Sequence, residues 1–237
     1  MVIGMILASG TGTRMGNTDC PKQFLPIYNK PMLVHTIETF EAHDGIDMIV
    51  VVTNESYIDQ VKVWCKQFDC EKVKLVTAGG SSRQISVYNG LKAMESLGVK
   101  EDDIVVIHDG ARPLISLNII SDNIKGCQEF GAVDTVIPAS DTIIRSVEGE
   151  VITEIQKRSE LYQGQTPQTF KYGIIRSAHD YAAEHNDTDT TDDCKLVIKR
   201  GVPVHLVNGS KMNFKITTFD DLMMLKALLK IGKTEVI

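Results

Sequence analysis

Over its first 138 residues the chain repeats one alternation: an apolar run rich in Val and Ile, a polar loop, then a segment with helical spacing. The runs are Val2–Ala8, Ile46–Thr53, Val73–Thr77, Ile104–His108 and Val133–Pro138. A strand apolar at nearly every position needs cover on both faces, the situation inside a parallel sheet. The intervening segments supply that cover. Pro31–Ala42 opens with a proline suited to a first helical turn, where its missing N–H costs nothing. Ser56 and Ser116 stand where N-caps are needed, before segments reaching Phe68 and Phe130. In the first of these, Ile58, Val61, Cys65 and Phe68 share one side. In the helix expected after Arg83, the core contacts are Ile85, Leu91 and Met94. The pattern predicts the α/β class, an open and mostly parallel sheet with helices on both faces.

After Pro138 the pattern changes. Thr142–Val147, the turn Glu148-Gly149-Glu150 and Val151–Ile155 read as a protruding β-hairpin. An isolated hairpin is marginal in water. It is therefore expected to pack against a second copy of the chain, as a dimerisation arm at about residues 139–165 of a homodimer. A decorated surface hairpin is the alternative. Helices are expected at Tyr172–Glu184, Asp192–Ile198 and Phe219–Leu229, and strands at Val204–Val207 and Lys215–Thr217. The polar stretch His185–Thr191 reads as a mobile loop. No repeat, low-complexity tract or linker divides the chain, so residues 1–237 are expected to form a single domain.

Composition narrows the partners. With 43% apolar and 24% charged residues there is ordinary core-forming material. The formal charge of −6 argues against nucleic acid, whose binders carry a strongly basic patch. No leader pattern is visible and no apolar run approaches the ~18 residues of a membrane span, so a cytoplasmic protein without a membrane partner is expected. Cys20, Cys65, Cys70, Cys127 and Cys194 are odd in number and lack C-x-x-C pairing, which argues against a disulfide framework or zinc site. Cys65 and Cys127 read as small buried hydrophobes.

Ligands of open α/β sheets bind beyond the carboxyl ends of the strands. Four polar loops fall at such ends: Ser9–Gly16, Gly79–Ser86, His108–Pro113 and Ala139–Thr142. In the first, glycines let the backbone approach a bulky anion with its N–H groups. It is not a P-loop, because G-x-x-x-x-G-K-[ST] is absent. Nor is it a dinucleotide fingerprint, because Gly10, Gly12 and Gly16 are spaced one residue too widely. A tight turn would explain the glycines but not the two cations, Arg14 and Lys22, that bracket the loop. The combination reads as a triphosphate cradle. Asp109, following a buried strand, is placed to hold Mg²⁺ against triphosphate oxygens, or else to form the turn before Arg112-Pro113. His108 reads as a hydrogen-bonded structural residue and His185 as a solvated one. His35 and His43 carry no functional signal.

Leu7-Ala8-Ser9-Gly10-x-Gly12-x-Arg14-Met15-Gly16 with Pro21-Lys22-Gln23 resembles the sugar-nucleotide pyrophosphorylase superfamily. Its small cytidylyltransferase branch is matched further by Gly79-Gly80-x-x-Arg83-x-x-Ser86-Val87, His108-Asp109-Gly110-Ala111-Arg112-Pro113 and Asp141-Thr142-Ile143. Gln165-Thr166-Pro167-Gln168-x-Phe170, Thr191-Asp192 and Asn213-Phe214-Lys215-Ile216-Thr217 follow in that family's order, through almost the whole chain. Two activities meet in this branch, with D-ribitol 5-phosphate or 2-C-methyl-D-erythritol 4-phosphate as acceptor. Leu161–Phe170 and Thr191-Asp192-Asp193-Cys194-Lys195 look closer to the ribitol enzymes, whereas His108–Pro113 is nearer the methylerythritol version. Ribitol is the favoured reading.

The resemblance implies a Rossmann-like, GT-A-like nucleotidyltransferase fold that joins CTP to an alditol phosphate and releases pyrophosphate. Arg14 and Lys22 would contact the triphosphate and stabilise the pentacoordinate transition state, and Asp109 would help to hold Mg²⁺. CTP would lie against Leu7, Ala8, Ser9, Gly10, Gly79, Gly80, Ser81, Arg83, Ser86 and Ala111. The catalytic cations Arg158 and Lys215 would position the acceptor phosphate, with Thr142, Thr166 and Thr191 as lesser contacts. Arg158 follows the arm and would reach a neighbouring subunit's site; apart from the resemblance, Lys157-Arg158 reads as a solvated charge pair. An inactive nucleotide-binding scaffold of the same fold is the alternative of another class, and the intact set of charges argues against it.

Overall fold

A computed structural model describes residues 1–10, 20–188 and 190–234. β1 (Val2–Ala8) leads, beyond the first polar loop, to a small ladder of β2 (Pro26–Ile27) and β3 (Lys30–Pro31), then α1 (Met32–Glu41). The alternation continues through β4 (Met48–Thr53), α2 (Ile58–Gln67), β5 (Val73–Ala78), α3 (Arg83–Ala93), β6 (Ile104–Asp109), α4 (Leu117–Phe130) and β7 (Ala132–Pro138). The hairpin strands β8 (Ile144–Arg145) and β9 (Glu154–Ile155) come next, then β10 (Tyr162–Lys171) and α5 (Tyr172–Glu184). The chain closes with α6 (Asp193–Lys199), β11 (His205–Asn208) and α7 (Phe219–Thr234).

Among the described residues the central sheet has seven strands in the order β11-β7-β10-β6-β1-β4-β5. β10 runs antiparallel to both β6 and β7, and the other pairings are parallel. The expected mostly parallel α/β sheet is thus the observed one. From β1 the chain builds outward to β4 and β5, then returns to place β6 on β1's other side. That reversal opens a crevice between the carboxyl ends of β1 and β6.

Both faces are covered because β1 and its neighbours are apolar on both. Ile6 and Ala8 point to one layer, with Leu33 and Phe40 of α1, Val61 of α2 and Ile120 of α4. Ile3, Met5 and Leu7 point to the other, with Leu91 of α3, Ile175 of α5 and Val197 of α6. A third cluster joins Ile27, Met32, Ala111, Ile216, Leu222 and Leu225, and so seats α7 beside the loop after β6.

Several elements depart from expectation. The sequence pattern gives no warning of β10: Gly164, Pro167 and three glutamines lack strand character, and proline cannot donate to a ladder. The ladder to β7 shifts register between Gly164 and Gln168, where Pro167 sits. Tyr162 already belongs to the central sheet, as the first residue of β10. The arm itself is paired only over Ile144↔Ile155 and Arg145↔Glu154. Ser56 is not a cap: Asn54 Oδ1 accepts its N–H at 3.1 Å and starts a 3₁₀ turn ahead of α2. Lys215–Thr217 forms no strand, although Ile216 donates its N–H to the Ala111 carbonyl at 2.9 Å. In the stretch His185–Thr191, of which Asp189 lies outside the described residues, Gln84 donates to the Asp187 carbonyl and accepts the Thr190 N–H. Ser116 caps α4 as foreseen, accepting the Ile119 N–H at 3.3 Å. All five cysteines are free, and Cys65 and Cys127 are buried.

α3 can cross the sheet this closely only without a side chain at position 90. A Cβ on Gly90 would lie 2.7 Å from Val52 Cγ2 and 3.1 Å from Met5 Sδ. Gly90→Ala is expected to destabilise the fold by about 1–3 kcal/mol through overpacking, read as a lower urea midpoint at unchanged m-value.

Candidate active site

The chain leaves β1 through Ser9 and Gly10, and two ties fix this exit. Gln23 donates from Nε2 to the carbonyls of Ala8 at 2.7 Å and Gly10 at 2.8 Å. The Ser9 hydroxyl donates to Ser86 Oγ at 2.8 Å. Ser86 Oγ also accepts the Gly80 N–H at 3.0 Å and donates to the Ser82 carbonyl at 2.8 Å. The two loops meet so closely that a Cβ on Gly79 would lie 2.6 Å from Ser9 Cβ. Ser82 Oγ caps α3 by accepting the Ile85 N–H at 3.2 Å. The helix's leading N–H groups therefore lie beside the crevice, where an anion would be favoured.

Opposite this wall stands Asp109, level with Leu7 in the sheet. Lys215 Nζ lies 2.8 Å and Arg112 Nε 3.6 Å from its Oδ2. Burial alone would raise its pKa, but Lys215, Arg83 and Arg112 outweigh that and hold the carboxyl well below the usual carboxylate range. Asp109 is thus a permanent anion. Its N–H donates to Thr166 Oγ1 at 3.1 Å, and the Thr166 hydroxyl donates to His108 Nδ1 at 2.9 Å. His108 Nε2 faces the Arg112 carbonyl at 3.2 Å, which can only accept, so that nitrogen carries the proton. Burial pushes the His108 imidazole down to about 4, and the ring stays neutral. It is the structural residue that its sequence context suggested. On the third side Lys22 donates from Nζ to the Ile216 carbonyl at 2.7 Å, joining the first loop to the segment carrying Lys215.

These residues enclose a cavity of about 470 Å³ outside the carboxyl ends of β1, β4 and β6. Of the residues singled out in the sequence, Leu7, Ala8, Ser9, Gly10, Lys22, Gly80, Ser81, Arg83, Asp109, Ala111 and Lys215 line it. Gly79 and Ser86 lie behind the wall and shape it. Thr166 is buried behind Asp109, with its hydroxyl engaged by Asp109 and His108. Thr142, Thr191 and Arg158 are not part of the lining. Arg158 is exposed on the arm, donating from Nη1 to the Ser140 carbonyl at 3.3 Å. Arg14 lies outside the described residues. The lining also includes Gln23, Asn54 and Ser82, which the sequence reading did not assign. Asn54 was findable, since it follows the buried β4 as Asp109 ends β6.

A single ionised carboxylate beside two loops suits Mg²⁺, which commonly takes one or two carboxylates and completes its shell with phosphates and water. Among the described residues no group of three His, Cys, Asp or Glu side chains could hold a metal alone. An ion here would depend on substrate oxygens. The donor set fits that kind of site.

The sequence profile of the 2-C-methyl-D-erythritol 4-phosphate cytidylyltransferase family, IspD, matches residues 2–231. The chain belongs to the IspD family. A curated relative, the ribitol-5-phosphate cytidylyltransferase of Lactiplantibacillus plantarum, is 41% identical over 231 residues, covering 97% of this chain and 99% of the relative. The crystal structure of 2-C-methyl-D-erythritol 4-phosphate cytidylyltransferase from Francisella tularensis superposes with a TM-score of 0.80 at 28% identity, covering 94% of this chain and 97% of that one. The 4-diphosphocytidyl-2C-methyl-D-erythritol synthase of Anaerococcus prevotii gives 0.81 at 26% identity, over 97% and 96%. The nucleotidyltransferase fold and the cytidylyltransferase resemblance are therefore borne out, and IspD membership makes this chain a CTP-dependent nucleotidyltransferase. Among the described residues no helix is long and apolar enough to cross a membrane.

The neutral His108 in this IspD site has a measurable consequence. Its folded pKa, about 4, lies below the ~6.5 of a free imidazole, so the unfolded chain binds the proton more tightly. Stability is then complete above about pH 6.5 and falls as pH drops toward 4, by about 2–3 kcal/mol. Urea titrations across that window should show the slope in the wild type and a shallower one in His108→Gln.

Proposed function

We propose that the chain transfers the cytidylyl group of CTP to D-ribitol 5-phosphate, giving CDP-ribitol and pyrophosphate. The observation that carries the choice of acceptor is the 41% identity, end to end, with a ribitol-5-phosphate cytidylyltransferase. The segment Thr191-Asp192-Asp193-Cys194-Lys195 agrees with it. Methylerythritol 4-phosphate is the second reading, favoured by the family profile and by the motif His108–Pro113.

The acceptor is a phosphate monoester whose second pKa near ~6 leaves it largely dianionic at neutral pH. One of its oxygens attacks the α-phosphorus of CTP, and the bond to the bridging oxygen breaks as pyrophosphate leaves. No proton need be removed, which suits a cavity whose one histidine neighbour is neutral and fully engaged. The obstacle is bringing two anions together, so alignment and fixed positive charge are the effective means. Lys22 and Lys215 supply that charge within the described cavity, and Arg14 belongs to the same role through its motif. Lys215 is aimed by Asp109 and Lys22 is joined to the same segment at Ile216, so the two ammonium groups are held on one frame. Asp109 would hold Mg²⁺, which when bound neutralises triphosphate charge. Ser9, Gly10, Gly80 and Ser81 face the nucleoside end.

The arm exposes Ile144, Val147, Val151, Ile152 and Ile155, a concentration of apolar surface that a second copy of the chain would cover. Arg158, outside its own cavity, would then serve the neighbouring subunit's acceptor site. The exposed apolar face of the arm and the place of Arg158 outside its own cavity are what support this reading.

Pyrophosphate release with CTP, measured in parallel with both alditol phosphates, should be fast with D-ribitol 5-phosphate. Activity with methylerythritol 4-phosphate alone would reverse the assignment. Lys22→Ala should lower turnover by ~10²-fold or more, as loss of a transition-state charge partner does. Arg158→Ala should raise KM for the alditol phosphate while leaving KM for CTP near its wild-type value.

A further inference from the structure

Arg83 enters the cavity from the first turn of α3, and a buried assembly stands behind it. Asp193, at the start of α6, is wholly buried, with Oδ2 2.6 Å from Arg83 Nη1 and Oδ1 3.0 Å from His179 Nε2. On β10, Gln168 Oε1 accepts from Arg83 Nη2 and from the Asp193 N–H, each at 3.3 Å. The guanidinium is therefore held from behind on two of its nitrogens, while its side chain keeps 22% of its surface open. Placing a carboxylate in the interior carries a large desolvation penalty, and apolar packing would hold α6 to the sheet at less cost. His179 adds to that cost, since its Nδ1 is buried without a partner. What this arrangement provides is direction, because a planar guanidinium gripped on one side presents its remaining N–H groups at a fixed angle.

We infer that Asp193 is a positioning residue for the transfer reaction: with His179 and Gln168 it fixes the direction in which Arg83 meets the bound nucleotide. The inference rests on the reading of the cavity as a CTP site and adds a residue to it that touches neither substrate. Gln84 provides the contrast. It also ties α3 to the segment before α6, through Asp187 and Thr190, but makes no contact with Arg83's charge.

The test is calorimetric titration of CTP into wild type, Asp193→Asn, His179→Gln, Gln84→Ala, Arg83→Gln and the double variant Arg83→Gln/Asp193→Asn, each checked for folding by thermal denaturation. Asp193→Asn should weaken CTP by about 10- to 100-fold, the size expected when a charge-assisted hydrogen bond loses its aim. KM for the alditol phosphate at saturating CTP should stay within about twofold of wild type. The double variant should bind CTP no more weakly than Arg83→Gln alone, since both substitutions remove one interaction. Where Asp193→Asn fails to fold, His179→Gln carries the same test with a smaller loss. Unchanged CTP affinity in the folded variants, a loss matched by Gln84→Ala, or simple additivity in the double variant each overturns the inference. A wild type that binds no CTP removes the reading of the cavity itself, an outcome distinct from these.

Discussion

The fixed charge of Asp109 organises this molecule. It sits at the end of β6, on one side of the crevice where the strand order reverses, in surroundings that would otherwise favour its neutral form. It remains an anion only because cations converge on it from three separate parts of the chain: Arg83 at the start of α3, Arg112 in its own loop, and Lys215 shortly before α7. Lys215 can be there because Ile216 is buried with Ala111, Leu222 and Leu225. Apolar packing of α7 delivers the ammonium group, and the carboxylate holds it. The same carboxylate prevents the cavity from being uniformly positive, which would leave its cations to repel one another when no substrate is bound.

β10 supplies the second layer of this construction. It runs against the direction of its neighbours, and its polar side chains therefore lie where the carboxyl ends of β6 and β7 need partners. Thr166 accepts the Asp109 N–H and donates its hydroxyl to Nδ1 of His108, which fixes that ring's tautomer. Gln165 and Thr166 receive the Asn213 amide, at 3.3 Å and 2.7 Å, just ahead of Lys215. Gln168 reaches Arg83, Asp134 and Asp192. A run of glutamines and threonines that would be anomalous in an ordinary core strand becomes intelligible as the support for two walls of the cavity.

Legibility in the sequence followed the type of force involved. β1, β4, β6 and α4 were readable because continuous burial and a capping serine leave periodic local traces. The cavity-lining residues Ser9, Gly10, Gly80 and Asp109 were readable because they fall where parallel strands end, and Lys22 because it is one of the two cations bracketing the first loop; the family motifs then gave them roles. β10 was not readable: its pairing depends on two neighbouring strands that compensate for Pro167 and Gly164, and nothing in the local pattern records those neighbours. Gln23 was visible within its motif, but its grip on the Ala8 and Gly10 carbonyls was not. The pairing of β8 with β9 follows the hairpin pattern of that stretch, whereas the polar start of β10 gives no local sign that Tyr162 joins the central sheet.

By itself the sequence determined the α/β alternation, the loops that line the cavity and membership of a cytidylyl-transferring family, since each depends on residues close together along the chain. Tertiary structure alone decided that Lys215 and Arg112 share Asp109, that Thr166 serves that aspartate from behind, and that Asp193 grips Arg83. Those contacts join residues separated by as many as 110 positions, as between Arg83 and Asp193. Over such separations a charge has no preferred partner until the packed layers have brought one within reach and removed the water between them.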